Sequence, residues 1–493
     1  MNIFPCSNKF LINYFYFRSI SEIIVSIDSQ STSKRKKKED GKHPDFQVLE
    51  LADWDSRLLR LTENKHIPVI NFRSPLLALT LFNFFLPETL LEKIWDDTKL
   101  KYPVIWRYGS TKPIFINKNQ FRYRTILCLL ACQIRIIGLQ NKPKENSKNL
   151  NPLRGNLDEA RDHFKTVIDE ANPNEKKPNM FPGIEILQVL CSRFLFDTDY
   201  HDLISENFQK AIKWVGEYLA GDEKLLHFTG DSDNIRMVLT KPDKVGHWFY
   251  ELCIKLSNGL SFLLHFRAHL SDPNRNISIK TSEIVEQWTT IATTLGGENA
   301  NPDAITTADS YYFDTTGRNI CNDKKKKFVV GLQKNRFVSI CDHLSGLVHA
   351  KKEVAAAYNE KTNEILVKYW DPEHPQPKFV LSNAFKLTKI TEKTKQKSRD
   401  VTIPVYSEYT EMFNLCDRFN RNLHERTWPH KTGGKSRKGE HGQYHNFALS
   451  AILQNIFNLY HDVNGEDHTI PSFKEFFCNL ADDIVRYAFF KIE

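Results

Sequence analysis

The stretch between His247 and Phe266 constrains the fold more than any other part of the sequence. His247–Leu256 is a nearly continuous apolar and aromatic run, which is typical of a strand buried on both faces. The turn-forming triplet Ser257–Gly259 follows, and Leu260–Phe266 is apolar again. The pattern predicts two antiparallel strands joined in a hairpin.

An amphipathic helix and a short strand come next. Ile284, Trp288, Ile291 and Leu295 recur at the spacing of one helix face, and two glycines follow them. The apolar segment 304–307 then leads to an aspartate. The order strand, strand, helix, strand indicates an α/β sheet, because a helix that crosses over a sheet returns the chain to a neighbouring strand.

The flanking sequence divides the chain further. Residues 71–219 are mainly helical in pattern, with Pro87 separating two short helices. After residue 324 the pattern predicts short strands at 328–332, 336–340, 364–370 and 378–381, and then helices at 409–419 and 447–460. We therefore expect a basic, flexible appendage (1–65), a mainly helical domain (66–240), an α/β core in two parts (241–323 and 403–493) and a β-rich insertion (324–402).

Charge and cysteine usage narrow the classes of function. The 493 residues carry a net charge of +8, which permits nucleic-acid binding without proving it. The run Lys34–Lys38 is either a nuclear localisation signal or DNA-contacting arm, or it is a solvated linker. Nine scattered cysteines without a CxxC pair argue for a reducing compartment and against a zinc ribbon. No apolar run reaches the roughly 18 residues of a membrane span, so no membrane partner is expected.

Seven segments between residues 70 and 460 carry the most specific signal. They are Leu81–Glu88, Asp222–Gly230, Lys241–Gly246, Asp309–Phe313, Gly331–Arg336, Tyr406–Phe419 and Asn455–Tyr460. Each segment is a weak motif alone, but together and in this order they resemble the piggyBac transposase family. The resemblance implies an RNase H-like core interrupted by a mostly β insertion and preceded by a helical N-terminal domain. A single cysteine follows residue 416, so the family's cysteine-rich finger is not expected.

The resemblance also implies an acidic site that holds two Mg²⁺ ions for cutting and joining DNA. Of four expected aspartates, one matches Asp309 after a strand and one matches Asp417 on a helix. Asn414 replaces the other helix aspartate, three residues earlier on the same face. The first-strand aspartate falls on Ile254, and Glu251 should point to the opposite face of that strand. We therefore expect weak or lost Mg²⁺ binding.

Other interpretations of these residues stay open. Asp309 is also suited to capping a turn, and Asp417 to a solvated helix surface. His441 and His445 share helical spacing, but surface histidines fit them better than metal ligands. The glycine-containing loop 431–439 offers four cations for phosphate contact, or is simply a solvated loop. Those cations are Lys431, Lys435, Arg437 and Lys438.

The sequence thus predicts a nuclear, DNA-binding protein that derives from a transposase and does not cleave DNA. An active cut-and-paste transposase with one misassigned ligand is the first alternative. A protein-interaction scaffold of the same origin is the second. A homodimer is compatible with each of the three hypotheses.

Overall fold

A computed structural model gives the structure of the protein over parts of residues 47–490. The described residues are 47–48, 56–60, 68–101, 104–106, 113–115, 123–139, 152–171, 181–183, 186–187, 190, 196, 198–227, 234–238, 244–270, 280–295, 301, 304–313, 315–333, 337–351, 353–373, 375–389, 404–424, 440–465 and 471–490.

Helices dominate both ends of the described chain. They are α1 (Ala78–Phe85), α2 (Glu88–Lys101), α3 (Tyr123–Leu139), α4 (Pro152–Ala171), α5 (Thr198–Lys210), α6 (Thr281–Thr294), α7 (Thr315–Asp323), α8 (Val338–Ser345), α9 (Pro404–His424), α10 (Glu440–Asn464) and α11 (Phe473–Phe490). Pro87 lies between α1 and α2, as the sequence predicts, because proline has no amide hydrogen to continue the first helix.

Strands occupy the middle of the chain. They are β1 (Gln47–Val48), β2 (Ser56–Arg60), β3 (Val69–Ile70), β4 (Val104–Trp106), β5 (Pro113–Phe115), β6 (Ile212–Trp214), β7 (Tyr218–His227), β8 (Ile235–Met237), β9 (Val245–Lys255), β10 (Ser261–Ala268), β11 (Ile305–Ala308), β12 (Lys327–Leu332), β13 (Val354–Asn359), β14 (Glu364–Tyr369), β15 (Lys378–Ser382) and β16 (Phe385–Lys389).

One mixed sheet of ten strands forms the centre of this α/β protein. Its order is β1-β13-β14-β15-β12-β11-β7-β9-β10, and β8 pairs with β9 off this path. The strands β7, β11 and β12 are parallel. Strand β9 runs antiparallel between β7 and β10, so β10 has the same direction as β7. Strand β11 therefore lies between β12 and β7, and β7 lies between β11 and β9.

The predicted hairpin and crossover helix are confirmed. The turn between β9 and β10 has Gly259 at a φ of 82°, a left-handed conformation that glycine adopts without steric cost. Helix α6 buries Ile284, Trp288 and Ile291 along one side, and β11 follows it.

Two expectations about the flanking segments differ from the structure. The central strands begin with β7, before the boundary expected at residue 241, and β12–β15 pair within the same sheet. The strand expected at residues 336–340 is replaced by α8. Phe337, Cys341 and Leu344 are buried at helical spacing, and this period outweighs the β-branched residues between them.

Helices cover both faces of the sheet. On one face, a Cβ added to Gly221 of β7 would meet the ring of Trp288 in α6. On the other face, Thr307 of β11 contacts Met412 of α9, with 3.4 Å between Oγ1 and Sδ. Alternate residues of each strand therefore point towards α6 and towards α9.

Candidate acidic site between the central strands and helix α9

Two aspartates lie on the neighbouring parallel strands β7 and β11. The last paired residues of the ladder are Ala308 and Gly221, so Asp309 and Asp222 are the next residues on each strand. Asp309 has the same parity as Thr307, which contacts α9. Asp222 has the opposite parity to Gly221, which faces α6. Both aspartates consequently belong to the face of the sheet that α9 covers.

The electrostatic environment of Tyr409 on α9 places the same two carboxylates together. Burial is the main cause that raises the pKa of this phenol, and the negative charges of Asp309 and Asp222 raise it further. Asp222 is 8% exposed and accepts a hydrogen bond at Oδ1 from the backbone N–H of Glu223, at 2.8 Å. A buried, acidic corner is thus formed by β7, β11 and α9.

Asp309 also has a structural role. Its Oδ1 accepts hydrogen bonds from the backbone N–H of Ser310 and from the Ser310 hydroxyl, the latter at 2.9 Å. Its carbonyl accepts from the N–H of Tyr312 at 3.1 Å. Asp309 therefore caps the turn after β11, which is the alternative role that the sequence suggested for it. Its side chain is half-buried beside the acidic corner.

A third carboxylate, Glu251 of β9, is paired directly with Asp222 across the strands. Directly opposite residues share a face, so Glu251 also points towards α9. It is fully buried, and its Oε2 accepts a hydrogen bond from Nδ2 of Asn420 at 2.6 Å. Burial raises the pKa of Glu251 to about 7, Lys224 and Asn420 oppose the increase, and the charge of Asp417 adds to it.

The two predicted residues of the helix pair lie on α9 and are exposed. Asn414 donates a hydrogen bond from Nδ2 to the Thr410 carbonyl of its own helix, at 2.9 Å. Asp417 influences Glu251 electrostatically. The buried side of the helix instead carries Met412, Leu415, Cys416 and Phe419.

Ile254 does not lie in this corner. It is paired with Leu219 and is fully buried. Its neighbour Cys253 shares a hydrogen bond with Cys416 of α9, so Ile254 points to the opposite face, towards α6. The structure separates Ile254 from Asp309, Asn414 and Asp417, and puts Asp222 beside Asp309 instead.

The sequence contained a signal for Asp222. The segment Asp222–Gly230 is one of the seven that carry the family resemblance, but the α/β core was expected to begin at residue 241. That expectation moved the first-strand position into β9. The apolar residues Tyr218, Leu219 and Ala220 are buried and precede Asp222 in the same strand, which begins before the expected core boundary at residue 241.

The donor set of the corner suits a hard cation. Carboxylate oxygens from Asp222 and Asp309 are the ligand type that Mg²⁺ prefers. Within the described part of the chain, no three His, Cys, Asp or Glu side chains are grouped so that they could hold a metal ion. The described residues therefore fit at most a cation held by the two carboxylates of Asp222 and Asp309.

A cavity of about 520 Å³ adjoins Asp309. It lies where β11 and β12 end, and α9 closes one side with Tyr409 and Phe413. The strands β13–β15 extend the sheet beyond β12 and are called the sheet extension. Two of its lysines, Lys368 of β14 and Lys378 of β15, line the cavity as well.

The remaining predicted residues divide into two groups. Lys431, Lys435, Arg437 and Lys438 lie outside the described residues, as does Lys34–Lys38. His445 is buried, not on the surface, since its Nδ1 accepts a hydrogen bond from the N–H of Phe196 at 3.1 Å. Burial lowers its pKa to about 3, which makes it a neutral core residue. Among the described helices, none is long and apolar enough to span a bilayer.

Comparison with known proteins supports the fold. The chain is similar to the piggyBac transposase solved by cryo-electron microscopy in a synaptic complex with hairpin DNA, at a TM-score of 0.57 and 14% sequence identity. The match covers 86% of this chain and 83% of the transposase chain. No family model matches the sequence, and no curated protein matches it. The piggyBac-like resemblance is therefore confirmed at the level of the fold.

Proposed function

We propose that this protein is a DNA-binding protein derived from a piggyBac-like transposase, and that its acidic site is incomplete. The observation that carries the proposal is the position of Asp222 beside Asp309 on neighbouring strands of a transposase-like fold, with α9 opposite. The strand order β10-β9-β7-β11-β12, in which β9 alone runs antiparallel to the other four strands, supports an RNase H-like core. In this proposal β13–β16 are the inserted β structure, and DNA is the partner, in the nucleus.

Asp222 changes the composition of the proposed site. In this proposal it replaces Ile254 as the first-strand residue, and Asp222, Asp309 and the exposed Asp417 are the carboxylates that remain of the four that the family resemblance implies. Asn414 is then the one substitution. An amide oxygen can ligate a cation but contributes no negative charge, so two divalent cations close together are held weakly. A cation bound there would polarise a phosphodiester oxygen.

DNA binding tests the proposal directly. Fluorescence anisotropy of the full chain with a labelled duplex should show binding that depends weakly on sequence and strongly on salt, because phosphate contacts dominate such interfaces. Absence of binding at 50 mM salt would contradict the proposal and favour the protein-interaction scaffold.

Cleavage tests the incomplete site. The unaltered protein should not nick supercoiled DNA with Mg²⁺ or Mn²⁺, whereas Asn414→Asp should produce metal-dependent nicking that Asp222→Asn and Asp309→Asn each abolish. Asp169→Asn, on the exposed surface of α4, is the matched control. Ile254→Asp is not a repair, since it would bury a carboxylate against α6.

The active transposase is the second candidate, and the presence of Asp222 favours it. Under that hypothesis the unaltered protein itself nicks DNA with Mn²⁺, and Asp222→Asn removes the activity. The same assay therefore separates the two candidates.

A further inference from the structure

The cavity beside Asp309 combines an acidic wall with a basic one. Asp309 and Ser310 lie on the side nearest the proposed site, and Lys368, Lys378 and Gln376 lie on the sheet extension. Positive charge on one wall suits an anion, and the Gln376 amide can donate hydrogen bonds to its oxygen atoms.

The register of the sheet explains how two lysines reach the same cavity. Phe379 is paired with Lys368 of β14 and with Leu332 of β12, and Lys378 is paired with Tyr369. Lys368 and Lys378 therefore point to opposite faces of the sheet, close to the ends of their strands. Both line the cavity, because it lies at this end of the sheet and is reached from either face.

Lys368 is held in place despite its charge. The side chain is only 4% exposed, its Nζ donates to the Ser345 carbonyl at 3.4 Å, and the ammonium lies 5.6 Å from the centre of the Phe379 ring. The backbone carbonyl and the aromatic ring hold the ammonium group of Lys368 in one position. Lys378 is half-buried at the first residue of β15.

We propose that this cavity binds a backbone phosphate of a nucleic-acid strand, with Lys368 and Lys378 as the cations that position the strand beside Asp309. The inference rests on the proposed function and adds to it a defined phosphate contact. Asp309 alone would repel a phosphodiester, and the two lysines on the opposite wall offset that repulsion.

The test uses the full chain and a labelled duplex with a single-stranded overhang, in Ca²⁺, over 50–300 mM salt. Lys378→Gln and Lys368→Gln should each weaken binding several-fold and reduce the slope of log K against log salt by about 0.9, the value for one lost phosphate contact. Lys378→Arg should keep the slope. Lys361→Gln is the control, because Lys361 is exposed in the turn at the opposite end of β14.

The outcomes separate the two proposals. If the unaltered protein binds the duplex and Lys378→Gln behaves like Lys361→Gln, the phosphate site is excluded while the proposed function stands. If the unaltered protein does not bind at all, the proposed function fails. Thermal unfolding of each variant identifies any that does not fold. Lys378→Gln, at a half-exposed position, decides the matter if Lys368→Gln does not fold.

Discussion

Glu251 is a carboxyl group without contact with water, and its partners only partly compensate for burial. Asn420 donates one hydrogen bond to Oε2, while Oε1 has no hydrogen-bond partner among the described residues. Because its pKa is raised to about 7 from an ordinary value of 4.5, the folded protein binds a proton that the unfolded chain releases between these values.

The first prediction concerns the pH dependence that follows. The contribution of Glu251 to stability is fully present below pH 4.5 and is lost as the pH rises to 7. On the order of 3 kcal/mol should disappear over this window, at 1.36 kcal/mol per pKa unit. Glu251→Gln should remove that loss. From pH 4.5 to 8, the free energy of unfolding of the variant should therefore increase relative to that of the unaltered protein. Urea denaturation measures both.

Buried histidines change the stability with pH in the opposite direction to Glu251. The variant must therefore be compared with the unaltered protein at each pH. The pKa values of His265 and His445 are lowered to about 3, mainly by burial, so their contribution is present above pH 6.5 and is lost as the pH falls. Both proteins share this effect, which cancels in the difference. A difference that stays constant between pH 4.5 and 8 would show that Glu251 is ionised in the folded state.

Gly221 shows how closely the central strand approaches the crossover helix. A methyl group at this position would overlap the ring of Trp288, which is fully buried and cannot move into solvent. Gly221→Ala should destabilise the protein by about 1–3 kcal/mol through overpacking. Gly183→Ala is the matched control, since no atom lies within 4 Å of its added Cβ.

A double-mutant cycle tests the cause. Trp288→Leu makes room for the methyl group, so Gly221→Ala should cost much less in that background. Equal costs in both backgrounds would mean that the destabilisation comes from the strand backbone and not from the indole ring.

At the scale of elements, strand β10 needs its outer edge satisfied because it ends the sheet. Asn455 of α10 serves this purpose. Its Oδ1 accepts from the Leu263 N–H at 2.9 Å and its Nδ2 donates to the Leu263 carbonyl at 2.8 Å. Asn458 donates to the Ser261 carbonyl at 2.6 Å. Helix α10 thus supplies the hydrogen bonds of a missing strand, next to the irregularity between Leu263 and His265.

The third prediction follows from these contacts. Asn455→Leu leaves a buried N–H and a buried carbonyl without partners, and should cost about 3–5 kcal/mol. Asn319→Leu, on the exposed surface of α7, should change stability by less than about 0.5 kcal/mol. Chemical denaturation measures both. A small loss for Asn455→Leu would mean that water replaces the amide at this edge.

The sequence predicts the helices and strands of this protein better than it predicts which strands pair with each other. The hairpin and helix α6 were predictable, because period and turn chemistry are local. The position of β7 was not, since its ten residues mix apolar and charged side chains and its partners on β9 lie between 19 (His227 with Gly246) and 35 (Leu219 with Ile254) residues away. Pairs this far apart in the sequence form only when the whole sheet assembles, so no local pattern reveals them. For that reason Asp222 was assigned to the segment before the strand, and Ile254 to the site.

At the scale of the molecule, β12 joins two parts that the sequence suggests are separate. It pairs in parallel with β11 and antiparallel with β15, so the extension β13–β15 shares hydrogen bonds with the central strands. Helix α9 packs on both parts, since Gly331 of β12 lies close to Tyr409 and Tyr369 of β14 contacts Tyr406 at a ring distance of 4.7 Å. One continuous sheet under one helix should unfold as a unit.

The last prediction tests this cooperativity. Leu366→Ala in β14 and Leu252→Ala in β9 each remove a fully buried side chain and should cost about 2–5 kcal/mol. In a single cooperative unit, either change lowers amide protection in both strands equally, because the most protected amides exchange through global unfolding. Leu347→Ala, at a 47% exposed position, is the control and should leave that protection unchanged. Hydrogen exchange followed by mass spectrometry distinguishes the alternatives. If Leu366→Ala accelerates exchange in β13–β15 and leaves β9 unaffected, the extension is a separate folding unit, and the boundary drawn from the sequence at residue 324 describes the stability of the protein better than the continuous sheet does.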